Sequence, residues 1–244
     1  MSARSFVTPE GLTVPAVTTD QMREVDRLAI EEIGPNLYQM MENAGRNLAL
    51  QAIDLLGPDW RKRHILVLAG GGGNGGGGIC AARHLANRGA DVTVVVSNAD
   101  GLGAVTANQL SVYRGTDGRV APPRRLPLLE AAVVVDSVIG YSLRGAPRGI
   151  VADLIAWAGA QPSPVVALDV PSGIDSTTGE APGVSITADL TMALALPKTG
   201  LDVPAVGELW LADIGIPVEV YRRIGVEVPV GLFGPRYRIP LSGR

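Results

Sequence analysis

Cysteine and histidine are nearly absent: the chain has only Cys80, His64 and His84. A single cysteine excludes a disulfide framework and a cysteine-based zinc cluster, and two histidines leave little for a His/Cys metal site. A Ser-His-Asp triad would need one of those histidines. His84 falls in a predicted helix and His64 opens a predicted strand, and neither lies near a G-x-S-x-G turn. Excess positive charge is also missing. The formal net charge of −3 gives no electrostatic basis for binding nucleic acid or an anionic membrane, and the short cluster Arg61, Lys62, Arg63 reads as a solvated turn before a strand. No run approaches the roughly 20 apolar residues that cross a bilayer. The N-terminus lacks the apolar core of a signal peptide. These absences lead us to expect a soluble protein of a reducing cytoplasm, with no nucleic-acid or membrane partner.

What is present points to a core. Hydrophobic residues make up 46% of the 244 positions, enough for one large globular domain. Residues 1–17 carry two prolines and no periodicity and read as an arm; 18–230 read as the domain and 231–244 as a tail. Thr18 with Gln21 forms a capping-box pattern ahead of the helical stripe Met22, Val25, Ala29 and Ile33. A second helix is expected from Leu37 to about Leu55. Short apolar runs then alternate with helical stretches. "HILVLA", "DVTVVVS", "AAVVVD", "PVVALD", "ADLTMALAL" and "GELWLAD" read as strands, with helices at "ICAARHLANRG", around Val105–Tyr113 and at Gly149–Gly159. Runs without in–out alternation indicate parallel strands covered on both faces. The expected fold is a three-layer α/β/α arrangement on a mostly parallel sheet.

Between the first of these strands and its helix lie nine residues, Gly70 to Gly78, of which only Asn74 is not glycine. A glycine loop in that position turns backbone N–H groups and a helix N-terminus towards a bound phosphate. The nucleotide-hydrolase version needs G-x-x-x-x-G-K-[ST], and neither the lysine nor the hydroxyl follows. Gly70, Gly72 and Gly75 match the dinucleotide pattern G-x-G-x-x-G, a match that is almost automatic in so dense a block. Asp100 is a poor candidate for the acidic residue that pattern expects after the second strand. The strand-ending aspartates are more informative. Asp136 and Asp169 close two separate parallel strands, on the edge of the sheet where ligands bind. Asp169 continues into "DVPSGIDSTTG", where Pro171 fixes one torsion and Gly173 permits an unusual one.

Taken together, these residues resemble the NAD(P)H-hydrate epimerase family, also called the YjeF N-terminal domain. Its loop G-P-G-N-N-G-G-D-G and following V-A-A-R-H-L are similar to "GGGGNGGGGICAARHL". Further matches are "QMREVD…YQMMENAG", "DSVIGYSLRG", "LDVPSGIDSTTG", "ADLTMALALPKTGL" and "LADIGIP", in order from about Thr18 to Pro217. The resemblance implies a Rossmann-like fold and conversion of R-NAD(P)HX to S-NAD(P)HX in repair of hydrated nicotinamide cofactors, with a separate dehydratase acting on the product. It implies a potassium ion held by Asn74, Asp136 and Ser172, all oxygen donors suited to a hard cation. It implies substrate contacts at Gly73, Asn74, Gly75, Gly76 and Gly77, at Gly140, Tyr141, Ser142, Leu143, Arg144, Gly145 and Ala146, and at Asp169. Inverting the hydroxyl-bearing ring carbon needs reversible loss and return of a group with proton transfer, and Asp169 is the expected acid/base residue, with a hydrogen bond to a ribose as its alternative role.

The loop departs from the family pattern at Gly71, Gly73 and Gly77. Gly77 removes a carboxylate, and nothing adjacent in sequence replaces it. An isomerase-type paralogue acting on another small molecule, and a non-catalytic nucleotide-binding or interaction module, therefore stay open at this point. Lys198 is expected at a loop surface, with contact to ligand phosphate as the other use. Cys80 is expected in the core. The exposed faces of the early helices, around Tyr38–Met41, are the expected contact of a homodimer.

Overall fold

The structure is a computed structural model and describes residues 4–243; residues 1–3 and 244, at the ends of the expected arm and tail, lie outside the described residues. In chain order the strands are β1 (Ser5–Val7), β2 (Thr13–Pro15), β3 (His64–Ala69), β4 (Asp91–Val96), β5 (Arg119–Ala121), β6 (Val133–Ser137), β7 (Val165–Leu168), β8 (Leu190–Leu194), β9 (Glu208–Ala212) and β10 (Arg238–Gly243). The helices are α1 (Thr19–Leu28), α2 (Leu37–Leu56), α3 (Gly73–Ala86), α4 (Ala104–Tyr113), α5 (Gly149–Gly159) and α6 (Val218–Arg223).

The strands form one sheet in the order β2-β1-β10-β9-β8-β7-β6-β3-β4-β5. Strands β3 to β9 run parallel, while β10, β1 and β2 add an antiparallel edge. Helices α2, α3 and α4 cover one face through a core that includes Leu48, Ile79, Leu85 and Leu110. Helix α5 covers the other through Leu154, Ile155 and Ala158. The expected three-layer, mostly parallel architecture is thus the observed one. The central strands explain it: every residue of β6 and β7 is buried, and β-branched valines fill both faces.

The two ends of the chain differ from expectation. The arm before Thr18 supplies β1 and β2, and the tail supplies β10, which pairs with both β9 and β1. β1 and β10 complete each other from distant parts of the sequence, and β2 is a three-residue strand paired only with β1, so no local periodicity marks them. Phe6, Ile239 and Leu241 are buried in a third cluster with α1 and α6. Helix α1 starts as the sequence indicates, with Thr18 Oγ accepting from the Gln21 N–H and Gln21 Oε1 from the Thr18 N–H. Asn36 and Gln39 repeat the device at α2.

The glycine block is only partly a loop. Gly70–Gly72 make the turn, and α3 is already helical at Gly73. Glycine weakens a helix by up to about 1 kcal/mol per interior position, so these glycines must serve contact. A methyl at Gly75 would run into the Gly70 carbonyl oxygen, and one at Gly78 into Ser137 Oγ at the end of β6. On α2, Gly45 does the same for Cys80, which is fully buried as expected. The side-chain-free face lets α3 lie directly on the ends of β3 and β6. Gly75→Ala and Gly78→Ala should each cost on the order of 3 kcal/mol through overpacking, while Gly73→Ala, with open space around it, should be neutral or slightly stabilising. Urea unfolding of the three variants checks this, and equal midpoints would refute it.

Candidate active site

From β3 the chain steps outward to β4 and β5, then returns to β6 on the other side of β3. The crevice beyond the carboxyl ends of β3 and β6 is therefore the topological switch point, where open α/β sheets bind ligands. The Gly70–Gly72 turn, Asp136 and Asp169 all reach this edge. The turn is anchored by its own backbone: Gly70 N–H donates to Ser137 O (3.2 Å), and Gly71 and Gly72 carbonyls accept from Gly103 N–H (2.9 Å) and Thr106 Oγ (2.8 Å). No side chain caps α3, so its first N–H groups stay free for an anion.

Asp169 is held in an unusual way. Its φ is +69°, and the Val170 N–H donates back across it to Leu168 O (2.9 Å), a γ-turn of the left-handed, strained kind. The same turn recurs beside it at the end of β8, centred on Ala195 (φ +65°), where Leu196 N–H donates to Leu194 O (2.8 Å). Between the two sits Lys198, whose side chain is 1% exposed. Its ammonium pairs with Asp169 Oδ1 and donates to Leu194 O (2.8 Å). The other Asp169 oxygen accepts from the Tyr141 N–H (3.0 Å). Lys198 is thus buried against Asp169, not at the loop surface where the sequence placed it. An ammonium is tolerated there because a carboxylate and a carbonyl both receive it.

Asp136 lies deeper and is fully buried. Its oxygens accept from the Ser172 N–H (2.7 Å), Ser172 Oγ (2.6 Å) and the Val138 N–H (3.2 Å). None of these donors is cationic, and burial pushes its carboxyl up to about 6. Ser172 Oγ also accepts from the Ile139 N–H (2.8 Å), which leaves it one lone pair. Asn74 Nδ2 is buried without a partner. Gly140 stands between the two groups: a Cβ there would lie 3.1 Å from both Asn74 Oδ1 and Asp169 Oδ2. An enclosed carboxylate without a counter-charge, a spare hydroxyl lone pair and the Asn74 carboxamide oxygen beside Gly140 form a set of oxygen donors that fits a monovalent cation.

A cavity of about 320 Å³ opens over these groups. Of the sequence-derived candidates, Gly73, Asn74, Gly77, Gly140, Tyr141, Ser142 and Asp169 line it. Gly75 and Gly76 are buried in α3 behind the wall, and Asp136 and Ser172 lie beneath it. Leu143, Arg144, Gly145 and Ala146 continue past the mouth, with Arg144 and Gly145 exposed. Among the lining residues that the sequence did not offer as site residues are Asp26 on α1 and Met41 on α2. Asp26 Oδ2 accepts from the Tyr141 hydroxyl at 2.5 Å. Only the polar position in an otherwise apolar helical stripe hinted at it. Met41, placed by the sequence on a self-association surface, turns inward, while Tyr38 remains exposed.

A second cluster joins α2 to α3. Ligand atoms of Glu42, Cys80 and His84 lie within 4.8 Å of one another. The Arg83 guanidinium already bonds both Glu42 and Cys80 Sγ (3.3 Å), and burial pushes the thiol up to about 12. The cluster ties the helices together and offers a metal no ionised thiolate. The Lys198–Asp169 pair has the larger energetic consequence. Lys198→Met strands a buried carboxylate and should cost about 3–5 kcal/mol; the double variant Asp169→Asn/Lys198→Met should recover much of that. Denaturant midpoints of the single and double variants decide it, and equal values would show the two groups to be uncoupled.

Comparison with known proteins agrees with this geometry. Residues 37–200 match the family described as YjeF-related protein N-terminus. The chain is 51% identical over 225 residues to a protein from Dehalogenimonas lykanthroporepellens named NAD(P)H-hydrate epimerase, covering 92% of each. It is 37% identical to a bifunctional NAD(P)H-hydrate repair enzyme of Salinibacter ruber, of which it spans 43%. The crystal structure of yeast ynu0 superposes with a TM-score of 0.80 over 93% of this chain and all of that one, at 21% identity, a likeness of fold. The chain belongs to the YjeF-related protein N-terminus family.

Proposed function

We propose that this protein is an NAD(P)H-hydrate epimerase, interconverting the R and S forms of NAD(P)HX. The observation that carries this reading is the cavity at the switch point, with Asp169 fixed by Lys198 and by the Tyr141 N–H at its wall. The relative that matches over 92% of both chains bears that name. The cavity is at the small end of ligand sites, so the hydrated ring and its carboxamide enter it while the rest of the dinucleotide lies across the mouth. There the free N–H groups of α3 and exposed Arg144 offer partners for phosphate. Asp169, in an ion pair and at the wall, is the group that takes or returns a proton.

A potassium ion is part of the proposal, held by Asn74, Asp136 and Ser172. When bound, it would balance the Asp136 carboxylate and stiffen the turn that carries the Tyr141 N–H. A dehydratase acting on the S form is the expected partner in the pathway. No helix among the described residues is long and apolar enough to cross a membrane; a cytoplasmic location is a separate part of the proposal. A homodimer belongs to the same reading, and its contact would use Tyr38, not Met41.

Incubating the protein with R-NADHX or R-NADPHX and an S-specific dehydratase should return reduced cofactor faster than the spontaneous background, and Asp169→Ala should abolish the gain. No acceleration by folded protein in potassium buffer would overturn the reading. Gly77→Asp tests the departure in the loop. The added Cβ lies 2.8 Å from Leu168 Cδ2, a methyl that can rotate away, and a native epimerase should gain nothing from it. A large gain would instead mark activity lost or redirected. Potassium chloride at tenfold Kd should stabilise the protein by about 1.4 kcal/mol over choline chloride at equal ionic strength, some 3–5 °C in Tm. The shift should vanish in Asp136→Asn; its persistence there would remove Asp136 from the site.

A further inference from the structure

With Gly77 bearing no carboxylate, two acidic side chains among the described residues line the cavity: Asp169 at the end of β7 and Asp26 on α1. They approach it from different layers of the fold, and Tyr141 touches both. Its backbone N–H donates to Asp169 Oδ2 at 3.0 Å, and its hydroxyl donates to Asp26 Oδ2 at 2.5 Å. The two carboxyl groups are therefore held about the length of a tyrosine apart. Their surroundings differ. Asp169 is ion-paired to Lys198, whereas Asp26 has a neutral phenol for a partner and shares its wall with Met22, Ile30, Leu37 and Met40.

We propose that Asp26 is the second catalytic residue of this cavity, the general acid that works opposite Asp169 across the bound ring. The proposal rests on the epimerase reading and deepens it. In the R-to-S direction, Asp26 gives its proton to the ring hydroxyl. The carbon–oxygen bond breaks with both electrons going to oxygen, water leaves, and the lone pair of the adjacent ring nitrogen forms a double bond to that carbon. A water then adds to the opposite face, the double-bond electrons return to nitrogen, and the surplus proton passes to the Asp169 carboxylate. One water is lost and one gained, no oxidant or reductant is needed, and the proton moved from Asp26 to Asp169 is reset through solvent at the mouth. Two carboxyl groups in environments of opposite polarity are the usual way to hold an acid and a base in one site.

The charges around Asp26 support this order. Burial raises its proton affinity, Tyr141 and Lys198 lower it, and Asp169 raises it. Tyr221 on α6 and Arg23 on its own helix are the other titratable groups nearby. Burial and Asp26 push the Tyr141 phenol well above its ordinary range, so it donates and does not ionise.

The test measures kcat, KM and the pH profile of R-NADHX epimerisation. Asp26→Asn keeps an acceptor for Tyr141 and should lower kcat about 10²- to 10³-fold, with KM changed far less, and should erase the alkaline limb of the profile. Tyr141→Phe removes a hydrogen bond that favours ionised Asp26, so that limb should move to higher pH. An Asp26→Asn protein that folds and keeps its kcat overturns the proposal, as does a Tyr141→Phe limb coincident with the wild type. Should Asp26→Asn fail to fold, the Tyr141→Phe profile decides alone. Wild-type protein without epimerase activity would sink the underlying reading instead, and that outcome is distinct from an active wild type with an indifferent Asp26.

Discussion

The side-chain-free contact between α3 and the ends of β3 and β6 sets the geometry of everything around it. Because Gly75 and Gly78 present only backbone, the helix lies flush on the sheet and its uncapped N-terminus points into the switch-point crevice. Asn74 is carried there with it, beside Gly140. A conventional helix face of leucines would stand several ångströms higher, and the crevice would be filled by the side chains that lifted it. The intrinsic helix weakness of glycine is offset by burial of this helix: Gly75 to Ala82 are all buried.

Much of this was legible in the sequence, and the reasons are specific. Strands β3, β4, β6 and β7 announce themselves because each is a continuous apolar run, and α1 because Thr18 and Gln21 satisfy one another's backbone groups. The strand-ending positions of Asp136 and Asp169 follow from those runs, and the family resemblance supplied their expected roles. Strands β1 and β10 were illegible because they hold their places through a partner far away in sequence, with Phe6 opposite Gly243, and β2 because its three residues pair only with β1. The helical state of Gly73–Gly78 was illegible for a related reason: propensity argues against it, and tertiary contact overrides propensity.

The site shows the same division. That Asp169 ends a strand is a local fact; that Lys198 is buried on it is not, because "PKTGL" has the composition of an exposed turn. Only the paired γ-turns at Asp169 and Ala195 bring the ammonium and the carboxylate together. Backbone strain of this kind, of order 1–3 kcal/mol per residue, leaves no mark in residue type beyond the tolerance of aspartate for positive φ. Asp26 is separated from Asp169 by most of the chain, and the fold alone makes them neighbours across one cavity.

The pairing of β1 with β10 has a consequence for how the molecule is made. On a ribosome the β1–β2 hairpin emerges long before β10, the strand that creates its place in the sheet. Until Arg238–Gly243 is available, the hairpin has no neighbour, β9 presents a bare edge, and the pocket that receives Phe6 lacks Ile239 and Leu241. Contacts between such distant segments form late, because loop closure precedes any gain from them. The nascent chain therefore carries an unfinished border at β9 until β10 is made, open to other strands, and β10 with the hairpin then covers it, leaving β2 and β5 as the outer strands.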